Sequence, residues 1–140
     1  MTLENCPVSD EAGLVHLRGI LALQNLHLRY TRIGDKGLCY LSGLRWLQYL
    51  DISITQVTDT GIFHLPALPM LIRLRMNYTN TTDNCVPALL DCKYLKEAGI
   101  EGTKISPEGS AKLRKRGIQE MTKVDPSDHR IAPPEYLDDV

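Results

Sequence analysis

Four threonines, Thr31, Thr55, Thr79 and Thr103, stand 24 residues apart in a chain of 140, and the residues around each recur with them. Leu44, Leu47, Leu50 and Ile52 precede Thr55, and Val57 follows it. One period earlier the same positions hold Ile20, Leu23, Leu26, Leu28, Thr31 and Ile33; one period later they hold Leu68, Leu71, Leu74, Met76, Thr79 and Thr81. A fourth, weaker copy is Cys92, Leu95, Ala98, Ile100, Thr103 and Ile105. This spacing fits neither the 3.6-residue period of a helix nor the alternation of a strand. It demands a unit that begins as a short strand, turns sharply and runs on into a helical segment. Such a unit cannot bury its apolar face alone, so its copies must stack.

The pattern reads L-x-x-L-x-x-L-x-L-x-x-T-x-I, the signature of a leucine-rich repeat. It predicts an α/β, right-handed solenoid, a short horseshoe with a parallel concave sheet and helices on the convex side. Residues 1–118 make about five repeats, the first one truncated. Met1, Leu3, Cys6 and Val8 align with Leu26, Leu28, Thr31 and Ile33, so the chain starts inside a repeat with no capping helix ahead of it. The expectation is either a fragment or short isoform of a longer repeat protein, or an open end covered by a partner or by self-association.

Each ladder threonine is followed by a helix-start phrase: Gly34-Asp35, Thr58-Asp59, Thr82-Asp83, Ser106-Pro107 and, in the first copy, Ser9-Asp10. Side chains of this kind cap free helix N–H groups, and a carboxylate suits the positive end of the helix dipole. They are read as caps and not as catalytic aspartates. Pro66 and Pro69 are expected to stop the third helix near Leu65. Cys92, Ala98 and Cys85 should thin the core of the fourth repeat. The last helix starts at Ser106-Pro107 and ends at Gly117, its basic KLRKR run meeting the negative end of the dipole.

The 16 Lys and Arg against 17 Asp and Glu give a net charge of −1, which argues against nucleic acid and anionic membranes as partners. No apolar run is long enough to span a bilayer, and MTLENCPVSDEAG lacks the features of a secretion signal, so a cytoplasmic site, with the nucleus as an alternative, is expected. Cys6, Cys39, Cys85 and Cys92 show neither a C-x-x-C pair nor a histidine at metal-ligand spacing; each is read as a small buried thiol. No nucleotide-binding or metal motif occurs, and no cofactor is expected.

Residues between the buried leucines point out of the concave sheet. One column is Asn25, Tyr49, Arg73 and Glu97; the next is Thr2, His27, Asp51, Arg75 and Gly99; the third is Glu4, Arg29, Ser53, Asn77 and Glu101. Arginine and tyrosine commonly anchor protein interfaces, so these columns are the candidate partner-binding surface. The competing reading is a solvated sheet in which neighbours such as Asp51 and Arg75 simply pair. His27, Asp51 and Ser53 suggest a hydrolase only superficially: Ser53 lies two residues along from Asp51, and no oxyanion-hole loop accompanies it. The chain is read as a non-enzyme.

Residues 119–140 change character, with three prolines and six acidic residues from Gln119 onward and no repeat phase, and are read as a partly flexible tail. Within it Pro133, Pro134 and Tyr136 match P-P-x-Y, whose paired prolines suit the aromatic groove of a WW domain. The terminal Asp138-Asp139-Val140 also offers an apolar carboxylate of the type a PDZ groove accepts.

The units IGDKGLCYLSGLRWLQYLDISITQ and VTDTGIFHLPALPMLIRLRMNYTN resemble the T-D-x-G-L class of leucine-rich repeats, related to the ribonuclease-inhibitor-like and cysteine-containing repeats of F-box substrate receptors and of bacterial repeat proteins. The resemblance covers about residues 1 to 118 and implies partner binding on the concave face. Substrate delivery to a ubiquitin ligase is implied only for relatives with an F-box, and none precedes these repeats. Two functions follow: a protein–protein interaction module binding a protein partner on its concave face, or an adaptor or substrate in ubiquitination engaged through the PPEY tail.

Overall fold

A computed structural model describes Leu17, Ile20 and residues 22–121. Five short strands, β1 (Asn25–His27), β2 (Tyr49–Asp51), β3 (Arg73–Arg75), β4 (Glu97–Gly99) and β5 (Gln119–Glu120), form one all-parallel sheet in chain order. The returns between strands carry α1 (Asp35–Cys39), α2 (Asp59–Ile62), α3 (Val86–Asp91) and α4 (Pro107–Arg116), with 3-10 turns at Leu65–Ala67 and Asp83–Cys85. The protein is an α/β leucine-rich-repeat solenoid.

Strand register follows the repeat arithmetic. Asn25 faces Tyr49, Tyr49 faces Arg73 and Arg73 faces Glu97. Leu26, Leu50, Leu74 and Ala98 therefore stack in one fully buried column, with Leu28, Ile52 and Met76 in a second. Each buried leucine contributes about 1.5–3 kcal/mol relative to exposure, which is what holds neighbouring repeats together. Cys92 and Ala98, at leucine positions, and Cys85, at a glycine position, complete the core of the fourth repeat and are buried.

At each strand exit the ladder threonine closes the turn. The hydroxyls of Thr31, Thr55, Thr79 and Thr103 donate to the carbonyls of Leu28, Ile52, Met76 and Ile100, each at 2.7 Å. The residue before each threonine takes the left-handed conformation: Tyr30 at φ 60°, Ile54 at 56°, Tyr78 at 55° and Gly102 at 72°. That conformation costs an ordinary residue about 1–2 kcal/mol, so buried Ile54 is held there by the packing around it. At Gly102 a side chain is excluded outright, because a Cβ would sit 2.2 Å from the Tyr78 ring.

The helix-start phrases do more than cap. Thr82 and Ser106 do cap their helices, accepting from the Asn84 and Gly109 N–H groups, whereas Gly34 and Thr58 make no side-chain cap. The aspartates instead join one repeat to the next. Asp35 accepts from the Thr58 N–H and hydroxyl at 2.6 and 2.5 Å, Asp59 from those of Thr82 at 2.7 and 2.6 Å, and Asp83 from those of Ser106 at 2.7 and 2.6 Å. At the crossing beside Asp35 glycine leaves room, since a Cβ on Gly61 would lie 2.6 Å from Asp35 Oδ1, whereas the equivalent position beside Asp59 holds Cys85. Bridges between Thr58 and Asn80 and between Thr82 and Lys104 run beside the ladder.

The sheet extends past the boundary drawn at Ile118, since Gln119–Glu120 pairs with β4. The last unit is two residues short of the 24-residue period, which places Glu120 opposite Ala98 in the leucine column. Ser106, Pro107 and left-handed Gly117 bound α4 as the sequence predicts, while α2 ends at Ile62 and Pro66 falls in the 3-10 turn that follows. The Arg116 guanidinium, within the basic run, donates to the Cys92 carbonyl and ties α4 to the preceding repeat. The N-terminal half-repeat, with Cys6, lies outside the described residues.

Candidate protein-interaction surface

The concave columns divide into a scaffold and an accessible layer. Asp51 and Ser53 are 3 % and 0 % exposed, which removes both from the surface a partner could touch. Asp51 Oδ1 accepts from the Ser53 N–H at 2.9 Å, the Ser53 hydroxyl oxygen accepts from the Asn77 N–H at 3.1 Å, and Asn77 Oδ1 accepts from the Glu101 N–H at 2.9 Å. Side chains here replace the backbone acceptors that short strands no longer supply. Arg29 is also buried, its guanidinium 5.4 Å from the centroid of the Tyr30 ring. Tyr78 lies against Gly102 and its hydroxyl donates to Glu101 at 3.3 Å; burial and the nearby Glu101 carboxylate push its titration upward.

The accessible layer centres on the first two columns. Asn25, His27, Gln48, Tyr49, Ile72, Arg73 and Arg75 line an open hollow of about 470 Å³ across β1, β2 and β3. The His27 and Tyr49 rings meet with centroids 4.9 Å apart, forming an aromatic wall. Asp51 and Arg75, although lateral neighbours, form no ion pair, whereas Arg73 pairs with Glu97, Nε to Oε2 at 2.9 Å. Arg73 is 59 % exposed, so the pair is worth about 0.2–1 kcal/mol and is easily exchanged for a partner's group.

His27, Asp51 and Ser53 form no hydrolytic triad: Asp51 Oδ1 and the Ser53 hydroxyl oxygen accept from backbone N–H groups, and the His27 ring packs at a tilt against Tyr49. Among the described residues no group of three or more His, Cys, Asp or Glu side chains is placed to hold a metal ion, and no helix is long and apolar enough to cross a membrane.

Two features were not anticipated from sequence. Cys39 is half-buried and its Sγ lies 3.1 Å from His64 Nε2 of the next repeat, a pairing of residues 25 apart that correct stacking creates. Cys85 and Cys92 match the expectation of buried thiols, and burial pushes them up to about 12 and about 11. Trp46 and Tyr94, 57 % and 46 % exposed, occupy with Met70 the slot before Leu47, Leu71 and Leu95 in successive repeats, an apolar edge on the approach to the sheet. The repeat arithmetic could have found it. A smaller hollow of about 320 Å³ lies at the other end of the sheet, lined by Ile100, Glu101, Ile105, Ser110, Glu120 and Met121. Pro133, Pro134 and Tyr136 lie outside the described residues.

No family model matches the chain, and no curated protein sequence does. Solved structures do. The chain is similar to an internalin C2 from Listeria monocytogenes, with 29 % identity over 74 % of this chain and a TM-score of 0.61. An internalin F structure from the same organism shares 15 % identity over 79 % of this chain, with a TM-score of 0.50, a likeness of fold alone. The chain spans 42 % and 38 % of the length of those two. Both support the leucine-rich-repeat fold.

Proposed function

We propose that this protein is a non-enzymatic protein–protein interaction module whose partner docks on the concave face, over the hollow framed by Tyr49, His27, Arg73 and Arg75. One observation carries the reading. Asp51, Ser53 and Asn77 are taken up by their own ladder, whereas His27, Tyr49, Arg73 and Arg75 line an open hollow with an aromatic wall and two guanidinium groups. Tyrosine and arginine at the centre of a concave patch are the side chains that most often dominate binding energy. Asn25 and Glu97 rim the same face, and Asn77 and Glu101 lie along its exit edge.

The test is affinity capture from lysate followed by mass spectrometry, comparing the wild type with a Tyr49→Ala, Arg73→Ala variant of unchanged melting temperature. Loss of the specific partners supports the assignment; an unchanged set contradicts it. The PPEY tail supports the second reading, a role as adaptor or substrate in ubiquitination, on its sequence alone. Tyr136→Ala tests it separately, since it should abolish WW-domain binding and leave concave-face capture intact.

A further inference from the structure

Arg75 is the unusual side chain of the concave face. It is half-buried, its Nε is wholly enclosed, and that Nε has no hydrogen-bond partner among the described residues. Its two lateral neighbours explain why. On β2 the Asp51 carboxylate is engaged by the Ser53 N–H; on β4 the neighbour is Gly99, which has no side chain to offer. A guanidinium presents five donors in a rigid planar fork; Nε itself is closed to any ligand, so an oxyanion in the hollow that Arg75 lines would accept from the outer N–H groups of the fork, which have no partner among the described residues.

The surroundings fit such an occupant. Among the described residues the lining of the hollow holds Arg73, Arg75 and His27, three hydrogen-bonding side chains in Asn25, Gln48 and Tyr49, and no carboxylate. Its volume, about 470 Å³, is within the range of roughly 300–1,000 Å³ typical of ligand pockets and leaves room for an inserted carboxylate side chain. Arg73 can join by exchanging its exposed pairing with Glu97. The chain as a whole carries a net charge of −1, so this is a local cationic site and not part of a surface suited to a polyanion such as nucleic acid.

We infer that the hollow is an acidic-side-chain pocket: the partner inserts an Asp or Glu carboxylate that accepts from the Arg75 fork, with Arg73 as a second donor and Tyr49 packing against the flanking residue. The inference rests on the concave-face reading and specifies the chemistry of the partner there.

A displayed library of random unmodified peptides, selected on the immobilised full-length chain at low and high salt, tests it. Selected peptides should be enriched in Asp or Glu and should bind less tightly at high salt. Arg75→Gln should weaken them by roughly tenfold or more, the value of a charge-assisted fork. Arg73→Gln, at an exposed position where folding is not at stake, should weaken them less, and Lys112→Gln on the convex α4 not at all. Peptides without acidic enrichment that are lost on Tyr49→Ala overturn the acidic pocket and leave the concave-face reading standing. Peptides indifferent to Arg75, Arg73 and Tyr49 overturn both, and a selection that yields no binders overturns the pocket. If binders emerge only from a chain carrying Glu135→Gln, Asp138→Asn and Asp139→Asn, the occupant is the chain's own acidic end, which overturns the assignment to a partner.

Discussion

Asp59 receives both the N–H and the hydroxyl of Thr82, at 2.7 and 2.6 Å, from a residue 23 positions further along the chain. The contact binds one repeat to the next outside the sheet and the leucine columns. Bonds to a charged acceptor are each worth about 1.5–3 kcal/mol, less where water competes. Asp59→Ala should therefore lower stability by about 1.5–3 kcal/mol in urea denaturation, and a double-mutant cycle with Thr82→Ala should show a coupling of about 0.5 kcal/mol or more. Additive single effects would mean that the ladder contributes nothing as a pair.

The same ladder makes stability depend on pH at its last rung. The Ser106 hydroxyl and N–H hold the Asp83 carboxyl below its ordinary value. A carboxyl that titrates lower in the folded chain than in the unfolded one, about 3.9, stabilises the fold above that pH and ceases to do so as pH falls through the folded value. Stability measured from pH 6 down to pH 2 should therefore decline at the acid end, and Ser106→Ala should make the decline shallower. An identical acid limb in the variant would show that this rung is not linked to protonation.

Glu120 stands in the leucine column opposite Ala98, with one carboxylate oxygen enclosed and without a partner among the described residues. An enclosed polar atom without a partner costs about 1–3 kcal/mol, and leucine would restore the column's apolar surface. Glu120→Leu should raise stability by about 1–3 kcal/mol in the same denaturation assay. A loss of stability would show that the carboxylate serves the end of the solenoid.

The cysteines should separate by reactivity. The thiolate is the reacting form, and burial, aided by Asp59 beside Cys85, pushes Cys85 and Cys92 up to about 12 and about 11. In a Cys6→Ser background at pH 8, a disulfide reagent followed by peptide mass mapping should label half-exposed Cys39 and spare the other two until urea is added. Native-state labelling of Cys85 at a comparable rate would contradict the packing of the fourth repeat.

The concave columns were legible in the sequence because strand period and repeat length together fix the lateral neighbours: Asn25, Tyr49, Arg73 and Glu97 do line up. What a column does was not legible. Asp51 and Ser53 occupy outward positions yet are buried, because their polar atoms complete the hydrogen bonding of three-residue strands. The aspartates of the T-D phrases looked like local caps, since capping is a property of neighbours in sequence, and their true partners are one repeat away. β5 was missed because the final unit breaks the 24-residue period and puts a glutamate where the pattern requires an apolar residue. Cys39 meets His64 through a spacing that carries no known motif.

The central claim is that partners dock on the concave face, and a photo-crosslinking amino acid reads this directly. Placed at position 49 of the full-length chain, lining the hollow, it should yield a discrete adduct with a partner protein on irradiation in lysate. Placed at Lys112 on the convex α4, it should yield none. Adducts formed from position 112 and not from position 49 would place recognition on the opposite face and contradict the account.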